Sequence, residues 1–240
     1  MTPAVKNFGD FLRQLLAGIA VNFEIAGIAI AAGLALGLAL AALRLRGGVG
    51  GRSAAGIVGL MRAAPTFVVM FFLLNTLPRG MGLFGSASPL SGIMTVALSL
   101  VPYSAAYVCD SGTDALQQLR RGSPLGALLF LPNVVRAFFV LVMSSGAATA
   151  IGVPEGISII LRYADRSPSL GGKFLLFAIG VAAFAVPLQV GFAAIRLIQR
   201  RLTRIIGKTW PAGRPAPLST DPAISSEGTA DRRKKPALPY

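Results

Sequence analysis

The residues that are able to do chemistry are concentrated in one apolar stretch, Leu131 to Glu155. It carries Arg136, the adjacent Ser144 and Ser145, and a terminal Ile-Gly-Val-Pro-Glu, inside a run apolar enough to enter a membrane. Because the chain has no histidine, neither serine has the partner that a nucleophile needs, and both suit helix packing or the lining of a path. The stretch therefore predicts a moving part of a membrane protein rather than a simple anchor.

Catalytic and cofactor patterns are missing from the rest of the sequence. Cys109 is the single cysteine, which excludes disulfide frameworks and Cys/His zinc sites. The nearest pattern to a phosphate-binding loop, Gly171-Gly172-Lys173-Phe174, lacks both the first glycine and the hydroxyl residue of that motif. Paired membrane carboxylates for a proton relay are missing too. We expect no catalytic residue, no metal and no cofactor, so any energy must come from a separate subunit.

The elements that position these residues are membrane helices. Only 13% of the residues are charged, against about 25% in a soluble domain, and the uncharged runs are long enough to cross a bilayer. The sequence predicts an all-α integral membrane protein with about five transmembrane helices. They lie in the runs 25–43, 54–77, 93–109, 124–154 and 174–195. The polar segment 110–123 is predicted to be a loop, and 156–173 an external loop or surface helix.

The distribution of positive charge sets the orientation. Ten of the 23 Lys and Arg residues lie beyond Ile195, which places the C-terminus inside and the N-terminus outside. The same asymmetry accounts for the basic character without a nucleic-acid partner. Residues 206–240 are rich in Pro, Ser, Gly and charge, so we expect a disordered basic tail after a membrane domain over 12–205.

Some polar and small residues within or beside the spans leave alternatives open. A charge at a helix centre costs roughly 2.5–3.5 kcal/mol on insertion, so Arg62 either snorkels to the surface or pairs within the bundle. Gly33 and Gly37 form a Gly-x-x-x-Gly that lets another helix approach closely. Asn22 and Glu24 are expected at headgroup depth, on a solvated helix start.

Four blocks, in the right order, resemble the polar amino acid class of bacterial ABC importer permeases. Met61 to Thr66 is similar to that family's Phe-Arg-Gly-Thr-Pro-Leu, with Arg62 and Pro65 matching. The other blocks are Leu16 to Glu24, Ala97 to Leu100 with Ala106 to Asp110, and Leu131 to Asn133 with Ile151 to Glu155. The last pair matches Leu-Pro-Gln and Ile-Gly-Val-x-Glu.

The resemblance implies a multi-pass permease subunit of the bacterial inner membrane, with a periplasmic N-terminus and a cytoplasmic C-terminus. Its implied partners are an ABC ATPase subunit, a periplasmic solute-binding protein, a second permease subunit (the same or a different chain) and the lipid bilayer. The solutes implied are polar amino acids or similar small molecules. The candidate translocation-path residues are Arg62, Pro65, Ser144, Ser145 and Thr149.

The resemblance also implies an ATPase-coupling loop before Leu131. The family's Glu-Ala-Ala-x-x-x-Gly falls on residues 113–119, where Leu119 replaces the glycine unless Gly122 takes its role. Leu116 and Leu119 are spaced to share a helix face that would fill a groove on the ATPase. The candidate coupling residues are Asp114, Ala115, Leu116, Gln117, Leu119, Arg120 and Gly122.

The departures from the family pattern favour an alternative function. The segment that joins Asp110 to the coupling loop is shorter than the family's, and Met143-Ser144-Ser145-Gly146 stands where the family often has Lys-Asp-Thr-Ser. The alternative is a degenerate, non-conducting membrane scaffold that partners a conventional permease.

Overall fold

The structure is a computed structural model that describes residues 3–76, 90–123, 127–128 and 130–209. Within those residues the regular elements are all helical, which confirms the predicted all-α class. They are α1 (Pro3–Arg46), α2 (Gly48–Ala63), α3 (Thr66–Thr76), α4 (Leu90–Arg120), α5 (Phe130–Ser144), a 3-10 segment (Ser145–Ile151), α6 (Gly156–Arg166) and α7 (Leu170–Thr209).

In the part of the chain that the structure describes, four helical stretches are long and apolar enough to cross a membrane by themselves: Phe8–Arg46, Gly92–Arg120, Phe130–Ile151 and Leu170–Arg204. Helices α2 and α3 taken together are also long and apolar enough to cross a membrane, but they are bent by 92° relative to each other. Counting that pair, the structure has up to five candidate spans, in agreement with the predicted number.

The packing of α2 and α3 against α1 and α4 supports a fifth crossing. The first half of α4, at Val96, packs on α1 at Ile25, whereas Ala106 of α4 packs near Leu40, so α1 and α4 are parallel. The chain leaves α1 at one end and enters α4 at the other. Between them, α2 packs at the Leu40 level and α3 reaches the Ile25 level through Met70.

The second predicted run, 54–77, whose sequence is interrupted by Arg62 and Pro65, is divided at Pro65 into α2 and α3. Ala64 is extended (φ −71°, ψ 114°), because the ring of Pro65 disfavours the helical conformation of the residue before it. Pro65 then opens the next helix, and its carbonyl accepts from the N–H of Val69 at 3.1 Å. Leu77, the predicted last residue, lies outside the described residues.

The predicted loop at 110–123 is wrong, because α4 continues through the polar segment to Arg120. Two hydroxyls in this segment bond back to helix carbonyls, which satisfies them without leaving the helix. Ser111 Oγ donates to the carbonyl of Tyr107 at 2.9 Å and Thr113 Oγ1 donates to that of Cys109 at 2.7 Å.

Gly122 ends α4. Its φ is +73°, a conformation that favours glycine. The N–H of Gly122 donates to the carbonyl of Leu119 at 3.0 Å, and the N–H of Ser123 donates to that of Gln118 at 2.9 Å. This pair of bonds is a Schellman cap, so the glycine has a structural role at the end of the predicted coupling segment.

α1 is the helix around which the others pack, and three buried clusters follow its length. The middle cluster joins α1, α3, α4 and α5 around Ile25, Ala29, Leu100 and Leu141. A second joins α1, α2 and α4 around Leu40, Ala54 and Cys109. A third joins α1 and α6 around Phe11, Leu15 and Ile159. α7 is the most exposed span, with large apolar side chains such as Phe174, Val181 and Val190 facing outward.

The Gly-x-x-x-Gly of α1 packs against α4 of the same chain. A Cβ at Gly33 would lie 1.9 Å from Ser104 Oγ, and one at Gly37 would lie 2.6 Å from the carbonyl oxygen of Ala105. α1 and α4 therefore approach each other more closely than a side chain at Gly33 or Gly37 would allow.

The remaining predicted elements need smaller adjustments. The Ser144-Ser145-Gly146 break is the point where α5 tightens into the 3-10 segment. Part of 156–173 is the helix α6, and α7 extends on both sides of the predicted span 174–195. Residues 206–209, assigned to the tail, are still helical, and residues 210–240 lie outside the described part of the chain.

Candidate functional site

A buried polar cluster ties α1 to the segment around α6. Asn22 Nδ2 donates to Ser145 Oγ at 2.8 Å and to Glu155 Oε2 at 2.9 Å, and Asn22 Oδ1 accepts from the N–H of Gly156 at 3.0 Å. The side chains of Asn22, Ser145 and Glu155 are fully buried. The placement of Asn22 on a solvated helix start is therefore wrong, since α1 begins nineteen residues earlier, at Pro3. Glu24 is exposed, as expected.

Glu155 caps the N-terminus of α6. Its carboxylate accepts from the N–H groups of Ile157 at 2.9 Å and Ser158 at 2.8 Å, and from the hydroxyl of Thr149. A carboxylate at this position satisfies orphan amides and opposes the positive end of the helix dipole. The buried charge is thus held by hydrogen bonds, and Thr149 belongs to this cluster.

Close contact with glycine makes the cluster possible. A Cβ at Gly18 would lie 2.8 Å from the backbone carbon of Glu155, and one at Gly156 would lie 2.7 Å from the ring of Phe184. The backbone after Glu155 consequently lies against α1, where Asn22 can reach it. The sequence motif Ile-Gly-Val-Pro-Glu drew attention to Glu155 but gave no sign of its partner.

A second polar cluster joins α1, α2 and α4. Asp110 Oδ1 accepts from Arg44 Nη1 at 3.0 Å, and Asp110 Oδ2 accepts from Arg62 Nη2. Arg62 therefore pairs within the bundle, which decides between the two alternatives left open for it. All three side chains are partly exposed, and pairs of this kind stabilise by about 0.2–1 kcal/mol each. Pro65 lies one turn beyond Arg62, at the bend between α2 and α3.

The two polar clusters are separated along α1 by about the thickness of a bilayer. Asn22 and Arg44 are 22 residues apart, or about 33 Å along a helix, close to the thickness of a hydrocarbon core of about 30 Å. This spacing is the one expected if one cluster lies near each face of the bilayer.

The predicted coupling residues lie on the last turns of α4, beside the Asp110 cluster. Leu116 is partly buried against the cluster around Leu40, whereas the side chain of Leu119 is 51% exposed. Arg120 Nη1 donates to the carbonyl of Leu45 at 3.4 Å. The two leucines therefore do not present one free apolar face. The exposed members of the predicted set are Asp114, Gln117, Leu119, Arg120 and Gly122; Ala115 is half-buried.

Ser144, the remaining predicted path residue, lines an open groove between α5 and α7 with a volume of about 450 Å³. Among the described residues that line the groove, the other polar one is Arg136, which is exposed. The apolar lining residues are Phe139, Val140, Met143, Leu188 and Phe192.

The structure divides the predicted path residues among three places: Arg62 and Pro65 beside Asp110, Ser145 and Thr149 in the Glu155 cluster, and Ser144 in the groove. Arg136 was noted in the sequence but not assigned to the path.

Within the part of the chain that the structure describes, no group of three or more His, Cys, Asp or Glu residues is arranged to hold a metal ion.

Neither known family models nor curated proteins match the chain. Among solved structures, it is similar to a chain from the crystal structure of an amino acid ABC transporter with histidines, with a TM-score of 0.56 and 19% sequence identity. The alignment covers 84% of this chain and 100% of that one. The likeness shows that the two chains share a common all-helical fold.

Proposed function

We propose that the chain is the membrane-spanning permease subunit of an ATP-driven ABC importer for polar amino acids or similar small solutes. It forms the translocation path and leaves ATP hydrolysis to a partner chain. Its other partners are a periplasmic solute-binding protein and a second permease subunit, in the bacterial inner membrane. The observation that carries the proposal is the fold likeness, which extends over the whole of a chain from an amino acid ABC transporter.

The end of α4 supports the position of the ATPase contact. Leu119 is exposed there and the rest of the exposed set surrounds it, so a partner can reach these residues. The same helix carries Asp110, which is paired with both Arg44 and Arg62. A displacement of the α4 end by an ATPase would thus act directly on α1 and on α2, next to the bend at Pro65.

The experiment is purification of the tagged chain from its own host, followed by identification of a bound Walker-motif ATPase and measurement of solute-stimulated ATP hydrolysis. Leu119→Asp is expected to detach the ATPase or abolish the stimulation, because it places a charge on the proposed contact. Leu170→Asp is the matched control, since Leu170 is at least as exposed (70%) but lies at the start of α7. Normal hydrolysis in Leu119→Asp would remove the coupling role from this segment.

One observation favours a second function, that of a non-conducting scaffold. The predicted coupling segment is continuous with α4 instead of forming a separate surface helix, and Leu116 is used for internal packing. A scaffold would bind the second permease and acquire the ATPase only through it. Retention of the ATPase by this chain alone supports the permease; loss of the ATPase on deletion of the second permease supports the scaffold.

A further inference from the structure

The groove between α5 and α7 holds a positive charge in apolar surroundings. Arg136 lies seven residues into the candidate span Phe130–Ile151, about 9 Å from its start at 1.5 Å per residue. Arg136, Val140 and Met143 are all exposed, and their spacing places them on one face of α5. This face of the helix is open to a ligand along its length.

No acidic group within the described part of the chain neutralises Arg136. The acidic side chains that form ion pairs there are Asp10 and Asp110, and neither is paired with Arg136. Glu155 is buried in its own hydrogen-bonded cluster. None of the described residues that line the groove is acidic. The groove consequently favours an anion over a cation.

The guanidinium of Arg136 has the geometry to bind a carboxylate. It is planar, and its five N–H donors match a carboxylate in two parallel hydrogen bonds.

We propose that Arg136 binds the carboxylate of an acidic solute in this groove and selects anionic over cationic solutes. The groove volume of about 450 Å³ falls in the range of small-molecule sites, about 300–1,000 Å³. The proposal rests on the proposed function, because it names the class of solute that the permease passes. The chemistry is that of a side-chain carboxylate on a small molecule, with apolar walls around its carbon chain.

The test is ligand binding by the purified full chain in phosphatidylcholine nanodiscs, with L-glutamate as the probe. Cys109 is buried and is the chain's single cysteine, so a thiol-reactive dye reports thermal unfolding. L-glutamate is expected to raise the unfolding midpoint, L-glutamine much less, and L-lysine not at all. Arg136→Gln is expected to weaken L-glutamate binding about 10- to 100-fold, the effect of losing hydrogen bonds to a charged group. Arg136→Lys should keep part of the affinity. Arg162→Gln, which removes an exposed arginine from α6, should keep all of it.

A lipid phosphate has the same charge as a carboxylate, so the second arm adds phosphatidylglycerol to the nanodiscs. Stabilisation by phosphatidylglycerol that depends on Arg136, with no effect of L-glutamate, would overturn the proposal and assign Arg136 to lipid. Equal shifts with L-glutamate and L-lysine, or no shift with either, would overturn it as well. ATPase retention does not depend on Arg136, so these results are separate from the test of the proposed function.

Discussion

The contact between α1 and α4 is open to a sharp test with one pair of alanine substitutions. In Gly33→Ala the new methyl group would lie 1.9 Å from Ser104 Oγ and 2.5 Å from Ser104 Cβ, so the helices must separate. Gly27→Ala places the same group on the same helix, where nothing lies within 4 Å. Both substitutions gain about 1 kcal/mol of helix propensity. Only Gly33→Ala also carries the cost of overpacking, about 1–3 kcal/mol.

The difference between the two variants is therefore about 1–3 kcal/mol in the free energy of unfolding, with Gly33→Ala the less stable. At about 2–4 °C per kcal/mol for a chain of this size, the unfolding midpoints should differ by roughly 2–12 °C. The thiol-dye assay on Cys109 measures them in detergent or nanodiscs. Replacing Ser104 by glycine in both the wild-type and Gly33→Ala backgrounds should reduce the cost of the alanine, because the clashing atoms are gone. Coincident midpoints for Gly33→Ala and Gly27→Ala would refute the close packing of α1 on α4.

The remaining predictions concern the two polar clusters and the orientation. Glu155→Ala should lower the free energy of unfolding by about 2–4 kcal/mol, because it removes the cap of α6 and leaves buried donors without a hydrogen-bond acceptor. Glu24→Ala, at an exposed site on α1, should change the free energy of unfolding by less than about 0.5 kcal/mol. Equal effects of the two substitutions in denaturant unfolding would contradict the buried network. Asp110→Asn should cost less than about 2 kcal/mol, two partly exposed ion pairs, and its effect should shrink at high salt; a salt-independent loss would argue against the pairs. A topology reporter at Gly47 should be cytoplasmic and one at Pro168 periplasmic; the same side for both would overturn the orientation.

The helices were predictable because lipid leaves a strong signal in composition. An uncharged apolar run of about twenty residues is typical of a membrane-crossing helix, and the positions of Pro65 and of Ser144-Ser145-Gly146 marked real irregularities. The size of the bend at Pro65 was not predictable, since a proline sets the conformation of its neighbours but not the packing of the helix that follows. The polar composition of 110–123 led to the wrong prediction of a loop. In the structure, hydroxyls in this segment bond back to helix carbonyls, which allows α4 to continue.

The partners of polar residues were the part that sequence could not give. Asn22 and Glu155 are 133 residues apart, and hydrophobic periodicity says only which face a residue occupies, not what it meets. The same holds for Arg62, whose two possible fates were recognised but whose partner Asp110 was not. The Gly33 and Gly37 pattern predicted a close helix contact, yet the choice between another chain and α4 depended on the fold.

The described length of α1 has no proline after Pro3, whereas α4 and α7 contain Pro102 and Pro187 in their interiors. α1 also contributes Asn22 and Arg44 to two polar clusters that are about one bilayer thickness apart. Sharp kinks in helices occur at prolines and similar features. Because the interior of α1 has no proline, we expect it to move as one rigid body, so that its two ends rotate together. We therefore expect a rotation of α1 that is imposed at Arg44 through Asp110 to reach Glu155 in the other cluster. The proline-bearing helices and the kinked α2–α3 pair are then the parts left free to flex around it.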